Sequence, residues 1–185
     1  MDSFYSRKGD DGYTSLLGEG RVPKFHPQPD AYGNVDEVSS TLGLAKSLSK
    51  NDRIVALTTD IQRDLYHIMA ELAATPENAE AFRKIDSSRV EWLENQIDDF
   101  GGEIEIPKQF IVSGDCIAGA AFDLSRTVCR RAERAVAKLH VEGSLGNQNL
   151  LKYLNRLSSL CFILTLWENK RAGHQAPTTA KENPA

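Results

Sequence analysis

Three guanidiniums stand at four-residue spacing in the run Arg126-Thr-Val-Cys-Arg130-Arg131-Ala-Glu133-Arg134. On a helix, Arg126, Arg130 and Arg134 share one stripe, and like charges at that spacing destabilise an isolated helix by about 0.2–0.5 kcal/mol per pair. A chain of 185 residues with a formal net charge of −4 has no general need to gather cations there. Guanidiniums bind phosphate oxygens bidentately and keep their charge, so the stripe suits a polyanion. The competing reading is a solvated helix face laced by Asp123 and Glu133.

Other groups could serve the same chemistry. Ser6-Arg7-Lys8-Gly9-Asp10-Asp11-Gly12-Tyr13-Thr14-Ser15 places two glycines around acidic residues, a turn whose backbone N–H groups can converge on an anion. Arg7 and Lys8 add charge, and Thr14 and Ser15 add hydroxyls. The spacing is not that of a Walker loop. Lys24 follows in Gly20-Arg21-Val22-Pro23-Lys24, where the simpler reading is a solvated lysine. Asp36 stands beside an apolar stripe and would need a partner if buried; the plainer alternative is an acid near the positive end of a helix. Asn155, in Tyr153-Leu154-Asn155-Arg156-Leu157, borders another stripe, where it either fills a buried polar gap or reads a ligand edge.

These groups need a frame, and the apolar periodicity describes one. Residues 1–29 have no helical period and form an N-terminal arm rich in Gly and Pro. Val35, Val38, Leu42, Ala45 and Leu48 mark a first helix, and Ile54, Leu57, Ile61, Leu65, Ile68 and Leu72 a second that stops before Pro76. A third opens on a capping box, Ser88 with Glu91, carries Val90, Leu93, Ile97 and Phe100 inward, and stops at Gly101-Gly102. Residues 103–114 read as extended, with Phe110-Ile111-Val112. A fourth helix runs from about Asp115 to His140, with Ile117, Ala121, Leu124, Val128, Ala132, Val136 and Leu139 inward, and a fifth from about Gln148 to Lys170. Short connections without alternating strands predict an all-α, up-and-down five-helix bundle of the four-helix-bundle or ferritin-like type over 30–172. The polar tail 173–185 has the composition of a disordered segment.

Composition excludes several classes. Apolar residues make up 41% and charged residues 26%, which suits one soluble globular domain. The acidic balance argues against nucleic acid as a partner. No apolar run approaches the roughly 18 residues of a membrane span, and residues 1–5 do not begin a secretory signal, so a cytoplasmic protein is expected. Cys116, Cys129 and Cys161 sit in helical apolar patterns and read as reduced core thiols. His26, His67, His140 and His174 have no companions at ligand spacing, so no metal held by protein side chains is expected.

Taken in order, the serine-to-serine loop at 6–15, Arg21-Val-Pro-Lys24, Tyr32-Gly-Asn-Val-Asp36-Glu-Val-Ser-Ser40, the arginine run at 126–134 and Tyr153-Leu-Asn155-Arg-Leu-Ser158 resemble the trimeric ATP:cob(I)alamin adenosyltransferases of the propanediol-utilisation type. The resemblance covers roughly residues 5–170. The sequence departs from the family at Ser113-Gly114-Asp115, where Pro-Gly-Gly is common, and at Asn34 and Ser39, where Thr and Asn are common. The first departure puts a carboxylate near the expected corrinoid side.

The resemblance implies a homotrimer with ATP bound between neighbouring subunits, Mg²⁺ as cofactor and cobalamin as substrate. Ser6, Arg7, Lys8, Gly9, Thr14, Ser15, Lys24, Arg130, Arg131, Glu133, Arg134 and Asn155 would contact ATP or position its contacts. Asp36 would pair with Arg126 at the subunit boundary, Phe110 would face the corrinoid, and Arg130, Lys8 and Phe110 would serve catalysis. A reductase and an adenosylcobalamin-dependent enzyme are the further partners implied. Two other functions fit the same residues less completely: a non-catalytic adenosylcobalamin carrier of the same fold, and an ATP-binding regulatory bundle.

Overall fold

The computed structural model describes residues 5–174 and 176–181. Five helices of 15 to 25 residues carry the fold, namely α1 (Pro27–Leu48), α2 (Asp52–Ala73), α4 (Ser87–Gly101), α5 (Ile117–Val141) and α6 (Gln148–Arg171). A single turn, α3 (Ala79–Phe82), and a hairpin of β1 (Tyr13–Ser15) with β2 (Arg21–Pro23) complete it. The expected all-α bundle forms. The hairpin and α3 are additions that periodicity cannot detect at three or four residues.

Helix starts follow local chemistry. Pro27 and Pro29, assigned to the arm by sequence, lie in the first turn of α1, where a missing N–H costs nothing. Asn51 caps α2 by accepting from the amides of Arg53 and Ile54 at 3.0 and 3.3 Å. The cap of α4 is Asp86, which accepts from Arg89 N at 3.1 Å, and not the expected Ser88, whose hydroxyl instead donates to Asp86. Cys116 caps α5 through its sulfur, so this thiol is half-buried at a helix end and only Cys129 and Cys161 are core residues. Burial pushes the Cys161 thiol up to about 12.

The helices alternate in direction. Arg131 of α5 lies opposite Asn34 of α1, and Asp64 of α2 meets both Arg89 of α4 and Tyr153 of α6. α4 lies along α6, joined by Arg156–Glu94 and by the edge-to-face rings of Phe100 and Trp167. The core between them buries Val35, Leu42, Ile61, Leu65, Leu93, Val136, Leu154 and Leu157 completely. Each such side chain is worth about 1.5–3 kcal/mol of transfer free energy. Two residues expected inward on α5 are not: Ile117 is 74% and Leu124 47% exposed. Phe122, Ser125 and Cys129 take the inward face with Val128 and Ala132.

Residues 176–181 of the tail are ordered against the 110–112 segment, while residues 175 and 182–185 lie outside the described residues. Val112 N donates to Thr178 O, and Ala180 N to Phe110 O, both at 2.8 Å. Residues 178–180 therefore pair antiparallel with 110–112.

Candidate functional site

One side chain ties the arm's loop together. The fork of Arg21 donates to both oxygens of Asp11 at 2.7 and 2.8 Å, and also to the carbonyls of Lys8 and Tyr13 at 2.5 and 3.3 Å. Asp11 accepts in addition from Tyr13 N. The Arg21 hydrogen bonds, helped by that amide, hold the Asp11 carboxyl below its usual range. Lys24 is drawn into the same loop. Its amide donates to Gly12 O at 2.9 Å, and its ammonium lies 2.9 Å from where a Cβ on Gly9 would stand, a close approach that glycine permits. Ser6, Arg7, Lys8 and Ser15 are exposed around this loop, and Thr14 is half-buried on β1. Leu17 fastens the arm to the bundle, exchanging backbone hydrogen bonds with Ala73 and Thr75 at the end of α2.

The arginine run divides into held and free groups. Arg126 Nε donates to Asp123 at 2.7 Å, and both side chains are largely covered. Arg131 reaches α1, donating to Asn34 at 2.9 Å and pairing with Glu37. Glu133 accepts from Asn155 at 2.8 Å, and Asn155 accepts in turn from Arg156 at 2.7 Å. Asp123 and Glu133 are thus committed elsewhere, and among the described residues Arg130 and Arg134 are exposed without a carboxylate partner. The laced-face alternative holds for Arg126, which Asp123 pairs, and not for Arg130 and Arg134. Asp36 also points outward and has no ion pair within the described chain, while Val35 and Val38 turn inward.

Above Arg130 a cleft of about 590 Å³ opens between α4, α5, α6 and the 106–113 segment. Ile97, Ile111 and Phe162 give it an apolar side, and Arg126, Arg130 and Lys108 a cationic one. Phe110 stands at its edge, 90% exposed. Such a cleft can hold a large flat apolar ligand beside an anionic group.

Two half-sites result. One gathers Lys8, Gly9 and Lys24 on the arm, and the other gathers Arg126, Arg130 and Phe110 at the cleft; among the described residues no hydrogen bond or ion pair joins the two groups. Sequence reasoning missed the Asp11–Arg21 fork, although both residues lie in motifs it singled out. It also missed Thr178, whose signal is only a hydroxyl in a polar tail. Among the described residues, no three His, Cys, Asp or Glu side chains converge as a metal site, and no helix is long and apolar enough to cross a membrane.

Comparison with known proteins adds the context. A family model described as Cobalamin adenosyltransferase matches residues 4–168. The Corrinoid adenosyltransferase PduO of Salmonella typhimurium is 37% identical over 175 residues, covering 94% of this chain and 52% of that protein. The chain spans about half the length of the PduO relatives it matches. The Corrinoid adenosyltransferase of Bacillus subtilis is 34% identical over 173 residues, covering 91% of this chain and 88% of that one. Among solved structures, a phenylalanine-to-alanine variant of a PduO-type ATP:corrinoid adenosyltransferase from Lactobacillus reuteri, complexed with cobalamin and ATP, superposes with a TM-score of 0.89 at 29% identity, over 97% of this chain and 100% of that one. An arginine-to-lysine variant from the same organism, complexed with ATP, gives 0.84 at 31% identity, over 96% and 100%.

Proposed function

Because this chain belongs to the cobalamin adenosyltransferase family, we propose that it transfers the 5′-deoxyadenosyl group of ATP to cob(I)alamin, giving adenosylcobalamin and triphosphate. The observation that carries this reading is the pairing of an apolar cleft edge at Phe110 with the unpartnered Arg130 on one wall. Cobalt(I) attacks the 5′ carbon, the carbon–oxygen bond breaks, and the electron pair leaves with the triphosphate. No proton moves, so no general base is required. The protein's work is to align the carbon with cobalt and to stabilise charge gathering on the leaving group.

In this proposal Arg130, Lys8 and Lys24 meet the triphosphate, with Ser6, Arg7, Gly9, Thr14, Ser15 and Arg134 completing the nucleotide contacts. Arg131, Glu133 and Asn155 position them, an assignment supported by the hydrogen bonds that tie Arg131 to α1 and Glu133 to α6. The separation of the arm and cleft half-sites supports a site completed by a neighbouring subunit of a trimer, with Asp36 of one copy facing Arg126 of the next. Lacking a side-chain cage among the described residues, a Mg²⁺ ion would ride on the phosphate oxygens. Phe110 would wall the lower face of the corrinoid and exclude its lower axial ligand, easing reduction of cob(II)alamin. An ATP substrate fits a cytoplasmic setting, with a reductase and an adenosylcobalamin-dependent enzyme as partners.

The test is anaerobic mixing of cob(I)alamin, Mg-ATP and protein. The adenosylcobalamin spectrum should grow in step with released triphosphate. Consumption of neither substrate, or binding of adenosylcobalamin without turnover, overturns the proposal.

A further inference from the structure

Phe110 is 90% exposed, so its ring has no packing of its own to aim it. Its direction must come from its backbone, and that backbone lies in the connection from α4 to α5, which has no regular element beyond a single bridge. The bridge is the C-terminal segment. Val112 N and Ala180 N each close a hydrogen bond of 2.8 Å across it, and Ile111 faces Thr179. A second fastening lies three residues further on. Asp115 accepts from the Thr178 hydroxyl at 2.7 Å, from Thr178 N at 3.1 Å and from Asn169 Nδ2 of α6 at 3.4 Å. Gly114, at φ 120°, takes the left-handed conformation that turns the chain before this carboxylate.

We infer that Thr178 and Asp115 are positioning residues for Phe110: together they latch the C-terminal segment as a strand along the 110–112 edge and so fix the ring at the mouth of the cleft. This rests on the corrinoid reading of that cleft. It also assigns the carboxylate that replaces a glycine in the family pattern. Asp115 spends its oxygens on the tail and on α6, and is a fastener instead of a corrinoid contact. Charge-assisted hydrogen bonds to a carboxylate are the stronger kind, which suits a segment that has little buried apolar surface to hold it.

Thr178→Val removes the hydroxyl at an exposed position and keeps the shape. Hydrogen exchange at Val112 and Ala180 reads the latch with no corrinoid present, and both amides should exchange faster in the variant. With ATP and cob(II)alamin, the equilibrium toward the four-coordinate form should fall about three- to tenfold, the size of one lost hydrogen bond. ATP affinity should stay as it was. Thr178→Ser should restore both readouts, and Thr178→Val added to Phe110→Ala should cost nothing more. Unchanged exchange, a wild-type four-coordinate signal, or a full additional loss in the double variant overturns the latch. A wild-type protein that makes no adenosylcobalamin overturns the proposed reaction instead, while the exchange result still decides the latch.

Discussion

Arg89 and Arg130 carry the same guanidinium, and the fold treats them in opposite ways. Arg89 of α4 lies over the Trp92 ring, 3.7 Å from its centre, and donates to both oxygens of the buried Asp64. Burial would lower its pKa, but the Asp64 hydrogen bonds and charge outweigh that and raise it. Tyr153 closes the group at 2.6 Å, its hydroxyl pushed well up by burial first and by the Asp64 charge second. Arg130 stands on the outer face of α5 while the nearby carboxylates Asp123 and Glu133 serve Arg126 and Asn155. A cation supplied with its anion holds helices together. A cation kept free beside engaged anions is ready for an anion from outside.

The largest effect should come from the satisfied side of this contrast. Asp64→Ala leaves Arg89 and the Tyr153 hydroxyl without their acceptor, and breaking a buried pair costs about 3–5 kcal/mol. Arg89 retains some solvent contact, so the lower half of that range is expected in urea unfolding. Turnover well below the melting temperature should be nearly normal. A loss below about 1 kcal/mol, typical of a surface pair, would mean that the triad does not hold α2, α4 and α6 together.

Arg130→Ala should invert that pattern. Losing one donor to a developing charge is worth about 2–4 kcal/mol of barrier, so turnover should fall by two to three powers of ten while unfolding stays within about 0.5 kcal/mol. Single-turnover kinetics with cob(I)alamin measure the first quantity and denaturant titration the second. A stable variant at a near-normal rate would remove Arg130 from the phosphate wall.

The same contrast explains what could be read from sequence. Stripes such as Ile54–Leu72 are legible because burial on one side of a helix repeats with the helix. Ile117 and Leu124 fit that period equally well, yet they lie outside. Periodicity finds an apolar face but not whether the chain itself covers it. The arm was legible as a glycine-flanked turn, but the fork by which Arg21 reaches back to Asp11 is a non-local contact that composition does not reveal. The pairing of residues 178–180 is illegible for the same reason: Thr178 is ordinary until Asp115 is beside it.

Asp36 and Arg126 lie between the two extremes. Among the described residues Asp36 has no ion pair, and Arg126 is already held by Asp123. Across a trimer boundary Asp36 would therefore join an existing pair, and removing it would not strand Arg126. The coupling in an Asp36→Asn, Arg126→Ala double-mutant cycle should be about 1 kcal/mol, below the cost of an abandoned buried charge. Trimer dissociation and ATP affinity for the four proteins give the value. Strict additivity would dismiss the boundary pair.

The smallest effect should fall on the arm. Asp11 and Arg21 are exposed, and their pair shapes a loop without stabilising the bundle. Since the folded Asp11 pKa is lowered from the ordinary 3.8, its contribution is complete above that value and is lost as pH falls through the lower folded one. Asp11→Asn should therefore reproduce at neutral pH what strong acid does to the wild type. Arm amides, Tyr13 N above all, should exchange faster, while α1 to α6 and the unfolding midpoint stay unchanged. ATP affinity should fall modestly, because Lys8 and Lys24 keep their charges but lose the loop that gathers them. An unchanged exchange rate at Tyr13 would mean that the hairpin and the Leu17 anchor order the arm without the fork. Lys8 and Lys24 would then be placed by the hairpin backbone and the Leu17 anchor instead.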